Sequence, residues 1–306
     1  MAPQSPGPGQ WSGPIEKLDD AERRSLLDIM GARPRIEIEE ALRNGWFEMW
    51  YQPKIDLKRK CLAGAEALAR IRHPRFGVLL PGSFIPGGAD DSILRLAEHA
   101  LVAALDHWTM FDEAGFNLNL AIDVPVSVLL RLPVSALVDK HRPKSERWPG
   151  IIVEVTEDQI VRDMRLVQEI AQQLKASGIK IAIDDFGAGY SSFSSLRELP
   201  FIEIKLDGSF VKNCATDATN AAICQTAIDL AHRFGSAAVA EGIENAADLQ
   251  ALMVMGCDFG QGALIAPPMP QERFLELLRQ RVSKPAAATS SQSVGPSSEN
   301  AMHRVA

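Results

Sequence analysis

The stretch IKIAIDDFGAGYSS, Ile179–Ser192, decides how this chain is read. Its alternating and β-branched apolar residues predict a buried strand, and that strand ends abruptly in two adjacent carboxylates, Asp184 and Asp185. A glycine-broken loop rich in hydroxyls follows. Two neighbouring aspartates at the end of an apolar strand repel each other, so something elsewhere in the chain has to compensate them.

The same rhythm recurs on both sides of this stretch. The runs WFEMWYQP, CLAGAEAL, FNLNLAIDV, GIIVEVTE, FIEIKLD, SAAVAEGIE and GCDFGQG are short, mostly apolar and of strand length. Helical periodicity fills Ile93–Phe111, Asp163–Ser177, Asn220–Phe234 and Ala246–Met255, and Gly178, Gly235 and Gly256 stand where helices stop. Strand alternating with helix predicts parallel strands joined by crossovers. About eight such strands in roughly 250 residues fit an α/β fold of the TIM-like (β/α)8 barrel type. A doubly wound open sheet is the alternative, but no strand is followed by GxGxxG or GxxxxGK[ST]. The first two strands are joined by KIDLKRK, which has no room for a helix, so an antiparallel hairpin is expected at the start of the barrel.

Residues 36–282 carry no low-complexity break and read as one domain. Residues 1–35 read as an N-terminal tail, rich in Pro and Gly as far as Pro14, with a short helix over LDDAERRSLLDI, Leu18–Ile29. Residues 283–306 are Ala/Ser/Pro-rich and read as a disordered C-terminal tail. The formal charge of -7 argues against a general nucleic-acid binder that works by phosphate neutralisation. The basic run RIRHPRF, Arg70–Phe76, reads as a solvated loop, and His73 and His232 are isolated and are assigned no metal or catalytic role. No segment reaches the roughly 18 consecutive apolar residues that span a bilayer. The N-terminus lacks a basic start followed by an apolar run. The four cysteines, Cys61, Cys214, Cys224 and Cys257, form no CxxC pair and read as reduced thiols. A cytoplasmic protein is the expectation, with no membrane and no nucleic-acid partner.

In a barrel of this kind the reactive groups sit at the C-terminal ends of the strands. The second strand delivers Glu66 there, the third Asp123, the fourth Glu154, the fifth Asp184 and Asp185. The sixth delivers Lys205, the seventh Glu241 and the last Gln261. A single strand-end acid is most often a helix cap or a surface ion pair. A closed barrel, however, brings all its strand ends to one mouth, where six carboxylates and a single lysine repel one another without cations. Hard divalent ions with oxygen ligands, Mg2+ or Mn2+, are the natural compensation, and the absence of histidine from the set argues against zinc. One aspartate of the pair can bridge two ions about 3.5–4 Å apart while its neighbour binds the second, an arrangement suited to hydrolysis of a phosphate ester.

These residues also carry a family resemblance. EALAR at Glu66–Arg70, EVTE at Glu154–Glu157, DDFGAGYSS at Asp184–Ser192, KLD at Lys205–Asp207, AEGIE at Ala240–Glu244 and QG at Gln261 resemble the EAL-type cyclic di-GMP phosphodiesterases. YQP at Tyr51–Pro53 and SFIP at Ser83–Pro86 fall in the same order. The resemblance implies a TIM-like barrel with one antiparallel strand, and hydrolysis of cyclic di-GMP to linear pGpG with two Mg2+ or Mn2+ ions. It implies metal ligation by Glu66, Asp123, Glu154, Asp184 and Asp185, with Asp184 bridging. Glu66, Lys205 and Glu241 are then the catalytic set, the last two holding and polarising the attacking water. Gln52, Arg70 and Gln261 resemble residues of the ligand site, Arg70 as the grip on a phosphate. Glu157 resembles the anchor of the loop after Asp185, which in the family couples dimer packing to the metals. A homodimer is implied in the same way, while transcription, dimerisation, a regulatory protein partner and the short N-terminal helix are left as alternative routes of control.

The chain departs from the family pattern at several points. Asp123 stands where an asparagine ligand is usual, followed by Pro125 in place of Ser. GGADD replaces the usual helix start after FIP, Ala263 replaces a tyrosine, and Ala188 a threonine. The rival reading is therefore a non-hydrolysing module that binds cyclic di-GMP or another protein and signals by shape.

Overall fold

The computed structural model of the chain describes residues 36–85, 90–162, 164–187, 196–197 and 199–282. The two tails, the GGA of the altered helix start and most of the loop after Phe186 lie outside the described residues.

A short helix α1 (Ile38–Arg43) leads into β1 (Phe47–Asp56), which turns back as β2 (Cys61–His73) and a small edge strand β3 (Gly77–Leu79). Then come the long helix α2 (Asp90–Glu113), β4 (Asn119–Asp123), and two helices, α3 (Val126–Leu129) and α4 (Val134–His141). β5 (Ile151–Thr156) is followed by α5 (Glu157–Arg162) and α6 (Met164–Ala176), and β6 (Lys180–Phe186) by β7 (Phe201–Leu206). Helices α7 (Gly208–Val211) and α8 (Ala218–Arg233) precede β8 (Ala237–Ala240), and α9 (Ala246–Met255) precedes β9 (Phe259–Gly260). The chain closes with β10 (Met269–Pro270) and α10 (Gln271–Val282).

The ring runs β1–β2–β4–β5–β6–β7–β8–β9 and closes where β9 pairs with β1 at Ile55↔Gly260. Every pairing from β2 to β9 around the ring is parallel. β1 alone is antiparallel to both of its ring neighbours. The fold is thus a TIM-like α/β barrel with one reversed strand, as the helix-free KIDLKRK connection predicts. Gly178, Gly235 and Gly256 have φ of 73°, 72° and 87°, the left-handed geometry that stops α6, α8 and α9.

Two layers of packing hold this ring. Between strands and helices lies the large core, with Tyr51, Leu101, Leu105, Trp108, Phe111, Ile183, Ile204 and Phe274 among its buried members. The Tyr51 ring stacks on Phe274 of α10 and meets Phe111 of α2 edge-on, and its hydroxyl hydrogen-bonds His107 at 2.7 Å. Inside the ring the apolar filling is small: Ala121, Ile152 and Ala182, with Ile202 packed against them. The rest of the lumen near the mouth is polar, and there the functional residues gather.

Ring closure is tight at β9. A Cβ on Gly262 would collide with the backbone nitrogen and oxygen of Ile243. Gly262→Ala is expected to cost about 1–3 kcal/mol through overpacking and to displace the adjacent Gln261. Urea denaturation measures the loss, and a midpoint equal to wild type contradicts this close approach.

Candidate active site

Strand alternation sends consecutive side chains to opposite faces, so Asp184 and Asp185 ought to part. Ile183 pairs with Ile204 but Phe186 with Leu206, which leaves an extra residue on β6 at the aspartate pair. This irregularity has the two-against-one form of a β-bulge, and Asp185 takes up the left-handed backbone with φ 52°. Both carboxylates consequently stay at the mouth: oxygens of Asp184, Asp185 and Glu241 lie within 4.8 Å of one another. A second group, Glu66, Asp123 and Glu154, is equally close-set.

Lys205 stands at the centre, 1% exposed. Its Nζ lies 2.6 Å from Glu154 Oε2, 2.7 Å from Glu241 Oε1, 3.2 Å from Asp184 Oδ1 and 3.5 Å from Glu66 Oε2. These partners come from β5, β6, β2 and the residue after β8, so one ammonium ties four walls of the ring. Burial alone would lower the lysine's pKa, but the carboxylates outweigh it and hold it well above the ordinary value.

One positive charge does not balance the acids. Burial, opposed by Lys205 and reinforced by Glu66, Asp123 and Asp184, raises the Glu154 carboxyl well above its usual range. Glu241 is pushed up to about 8, chiefly by burial and against the pull of Lys205. Solvent reaches Asp123 and Asp185 at the rim, yet protein atoms crowd both. Burial and the Glu66 charge move Asp123 to about 7, and burial and the Asp184 charge move Asp185 to about 6. Glu154 Oε1 is buried without a hydrogen-bond partner, and so is Asp184 Oδ1, whose neighbour Lys205 is an ionic contact only. Orphaned, crowded carboxylate oxygens are the donor set that a hard divalent cation satisfies. The residues therefore fit the Mg2+ or Mn2+ pair that the resemblance implies.

Around this centre the other named residues fall into three positions. Gln261 donates to Glu66 Oε2 and, at 3.3 Å, to Gln52 Oε1, and Gln52 donates to the Ala266 carbonyl at 3.3 Å. Arg70 lies further along β2, outside the carboxylate cluster. Its Nη1 donates to the Ala69 carbonyl at 2.8 Å, its guanidinium lies 5.9 Å from the Trp50 ring centroid, and its buried Nε has no partner. Glu157 opens α5, and its Oε2 accepts the Gly187 N–H at 2.9 Å, tying the end of β6 to the end of β5. A groove of about 880 Å³ is lined by Trp50, Ala263, Ala266, Pro267, Pro268 and residues of α10.

Two features escape the motif reading. Asp207 adds its charge to those pressing on Asp185 and caps α7 by accepting the Ser209 N–H at 2.7 Å. The irregularity in β6 leaves no signature in IDDF beyond the paired acids themselves.

Comparison with known proteins agrees with this geometry. The EAL domain family matches residues 35–268. Cyclic di-GMP phosphodiesterase PA2567 of Pseudomonas aeruginosa is 33% identical over 275 residues, which cover 88% of this chain and 46% of that protein. Cyclic di-GMP phosphodiesterase RocR of the same organism is 35% identical over 275 residues, covering 85% and 64%. The chain thus spans roughly half to two-thirds of the length of these relatives. The solved PaMucR phosphodiesterase in complex with c-di-GMP superposes with a TM-score of 0.71 at 31% identity, covering 82% of this chain and 99% of that one. With its family motifs on the strand ends of a matching barrel, the chain belongs to the EAL domain family.

Proposed function

We propose that this chain is a cyclic di-GMP phosphodiesterase, opening one of the two phosphodiester bonds of its substrate to give linear pGpG. The observation that carries the reading is the convergence of Glu66, Asp123, Glu154, Asp184, Asp185 and Glu241 around buried Lys205. The relatives PA2567 and RocR, both named cyclic di-GMP phosphodiesterases, support the substrate assignment.

Glu66, Asp123 and Glu154 would hold one Mg2+ or Mn2+, and Asp185 the other, with Asp184 shared. Ions held there supply Lewis acidity and neutralise the charge of the phosphodiester. The remaining work falls to the chain itself. Glu241 sits at the mouth beside Lys205, where its carboxylate can orient the attacking water and take its proton. The Lys205 ammonium stabilises the negative charge that grows on the water oxygen and on phosphorus. Water adds to phosphorus as the P–O3′ bond breaks, and the departing 3′ oxygen gains a proton. Arg70 offers a guanidinium to the second phosphate, and the Gln52–Gln261 pair holds the wall carrying Glu66. Glu157 anchors the loop through Gly187 and so links the loop's position to Asp184 and Asp185. The domain comprises residues 36–282 and acts in the cytoplasm as a homodimer under a regulatory partner. No helix among the described residues is long and apolar enough to cross a membrane.

Incubation with cyclic di-GMP and Mg2+ or Mn2+ is expected to yield pGpG. Ligand binding without pGpG under either metal would overturn the enzyme reading in favour of a binding module. Glu66→Ala is expected to abolish turnover by removing a ligand oxygen, and full activity in that variant contradicts the site. Asp123→Asn keeps the oxygen and removes one charge, so kcat at saturating metal is expected to rise. Unchanged kinetics would show that Asp123 does not temper the ions.

The raised carboxyls also set a pH dependence. In the metal-free fold Asp185, Asp123 and Glu241 hold protons up to about 6, 7 and 8, whereas the unfolded chain releases them near 3.8, 3.8 and 4.5. Their contribution to stability is therefore full at acid pH and is lost as pH rises through that window. Cations bind the deprotonated form, so Mn2+ should raise the melting temperature more at about pH 8 than at about pH 6. Thermal scans check this, and equal shifts at both values contradict the ligand assignment.

A further inference from the structure

Lys54 of β1 and Glu203 of β7 form an ion pair inside the barrel, Nζ to Oε2 2.6 Å, with side chains only 3% and 7% exposed. β9 and β8 separate these two strands in the ring, so the pair crosses the lumen rather than joining neighbours. Each member lies one strand repeat beneath a mouth residue on the same face: Lys54 beneath Gln52, Glu203 beneath Lys205. The corresponding positions under Asp123, Glu154 and Asp184 are Ala121, Ile152 and Ala182, which form the inner apolar cluster. Lys54 Nζ also lies 5.6 Å from the Phe259 ring centroid of β9.

A buried ion pair is a poor source of stability, because desolvating both charges commonly cancels their attraction and an apolar pair of similar volume serves the fold as well. Its distinctive contribution is directional. The contact fixes the span between the wall that carries Gln52 and its partner Glu66 and the wall that carries Lys205. We infer that the Lys54–Glu203 pair is a cross-lumen brace that positions Lys205 against its four carboxylates. Lys54 and Glu203 touch no reacting atom on this account; they are positioning residues that act through Lys205. The apolar neighbours in the same layer fill space but cannot set this distance, since their packing has no preferred direction.

The kinetic arm of the test rests on the proposed cyclic di-GMP hydrolysis, and a spectroscopic arm does not. Glu203→Asp withdraws the carboxylate by one methylene, and kcat is expected to fall roughly tenfold to a hundredfold, as for a displacement of about 1 Å at a catalytic group. KM should stay within about threefold of wild type, since the substrate contacts are untouched. Adding Lys54→Arg lengthens the opposite arm and should restore most of the lost kcat. A loss that Lys54→Arg leaves unrepaired, or wild-type kcat in Glu203→Asp, overturns the brace.

The second arm follows the side-chain ammonium resonances of protein labelled with 15N-lysine. Lys54→Met/Glu203→Leu, the apolar replacement, should remove the Lys54 signal and shift that of Lys205. A Lys205 signal that stays in place in this folded variant reduces the pair to filler and overturns the proposal. If the apolar variant does not fold, the Glu203→Asp and Glu203→Asp/Lys54→Arg proteins carry the same reading, with the Lys205 signal displaced in the first and returned in the second. If wild type yields no pGpG, the proposed function fails and the resonances alone decide the brace.

Discussion

The structure depends on one buried ammonium. Lys205 holds contacts to Glu66, Glu154, Asp184 and Glu241 from a position with almost no solvent access. Such a group survives inside a protein only if its partners come to it, and here they come from four walls of the ring. The arrangement demands a closed barrel, because no open sheet brings those strand ends together. It also leaves an excess of negative charge. That excess appears as carboxyls that cling to protons, as a Glu154 oxygen that no donor reaches, and as an Asp184 oxygen met by an ionic contact alone. Retaining so many costly groups is intelligible when cations take the protons' place.

The division of labour between outside and inside follows from this. Stability comes from the apolar layer between strands and helices, where Trp108, Phe111 and Phe274 are sealed. The lumen contributes less of that kind: among the described residues its apolar cluster is Ala121, Ile152 and Ala182. It is free to be polar because the outer layer carries the fold. Positioning in the lumen then relies on directional bonds: Lys205 to its acids, Gln261 to Glu66 and Gln52, Glu157 to the Gly187 amide. Each of these links two strands or a strand and a loop, so a shift of one wall is felt by the others.

Much of the architecture is legible in the sequence because burial leaves period-two and helical patterns. All eight apolar runs of the middle chain become ring strands, and the helix read over Ala246–Met255 has those same bounds in the structure. Helix α2 begins at Asp90 rather than near Ile93, and β2 extends to His73, so Arg70–His73 belongs to the strand, with Arg70 and His73 buried, and not to the solvated loop read over Arg70–Phe76. The short α1, α5 and α7 and the edge strand β3 carry no signal strong enough to stand out, whereas the closing helix α10 does carry a helical pattern, with Phe274, Leu275 and Leu278 on its buried face, that the strand-and-helix reading passes over. Strand-end chemistry is equally legible, since closure of the ring guarantees convergence. What the letters do not contain is the extra residue on β6. Alternation applied to Asp184 and Asp185 sends them apart, and only the register shift and the left-handed Asp185 keep both at the mouth. Lys54 and Glu203 stand at legible inward positions, but their meeting across the lumen depends on the radius of the ring.

The central claim is that these carboxylates form a two-cation site around Lys205. Titration of the metal-free protein with Mn2+, followed by electron paramagnetic resonance, tests it most directly. The account predicts two ions per chain with a spin-coupled signal, and loss of the coupling in Asp184→Ala. A single site, or two ions that show no coupling, would contradict it.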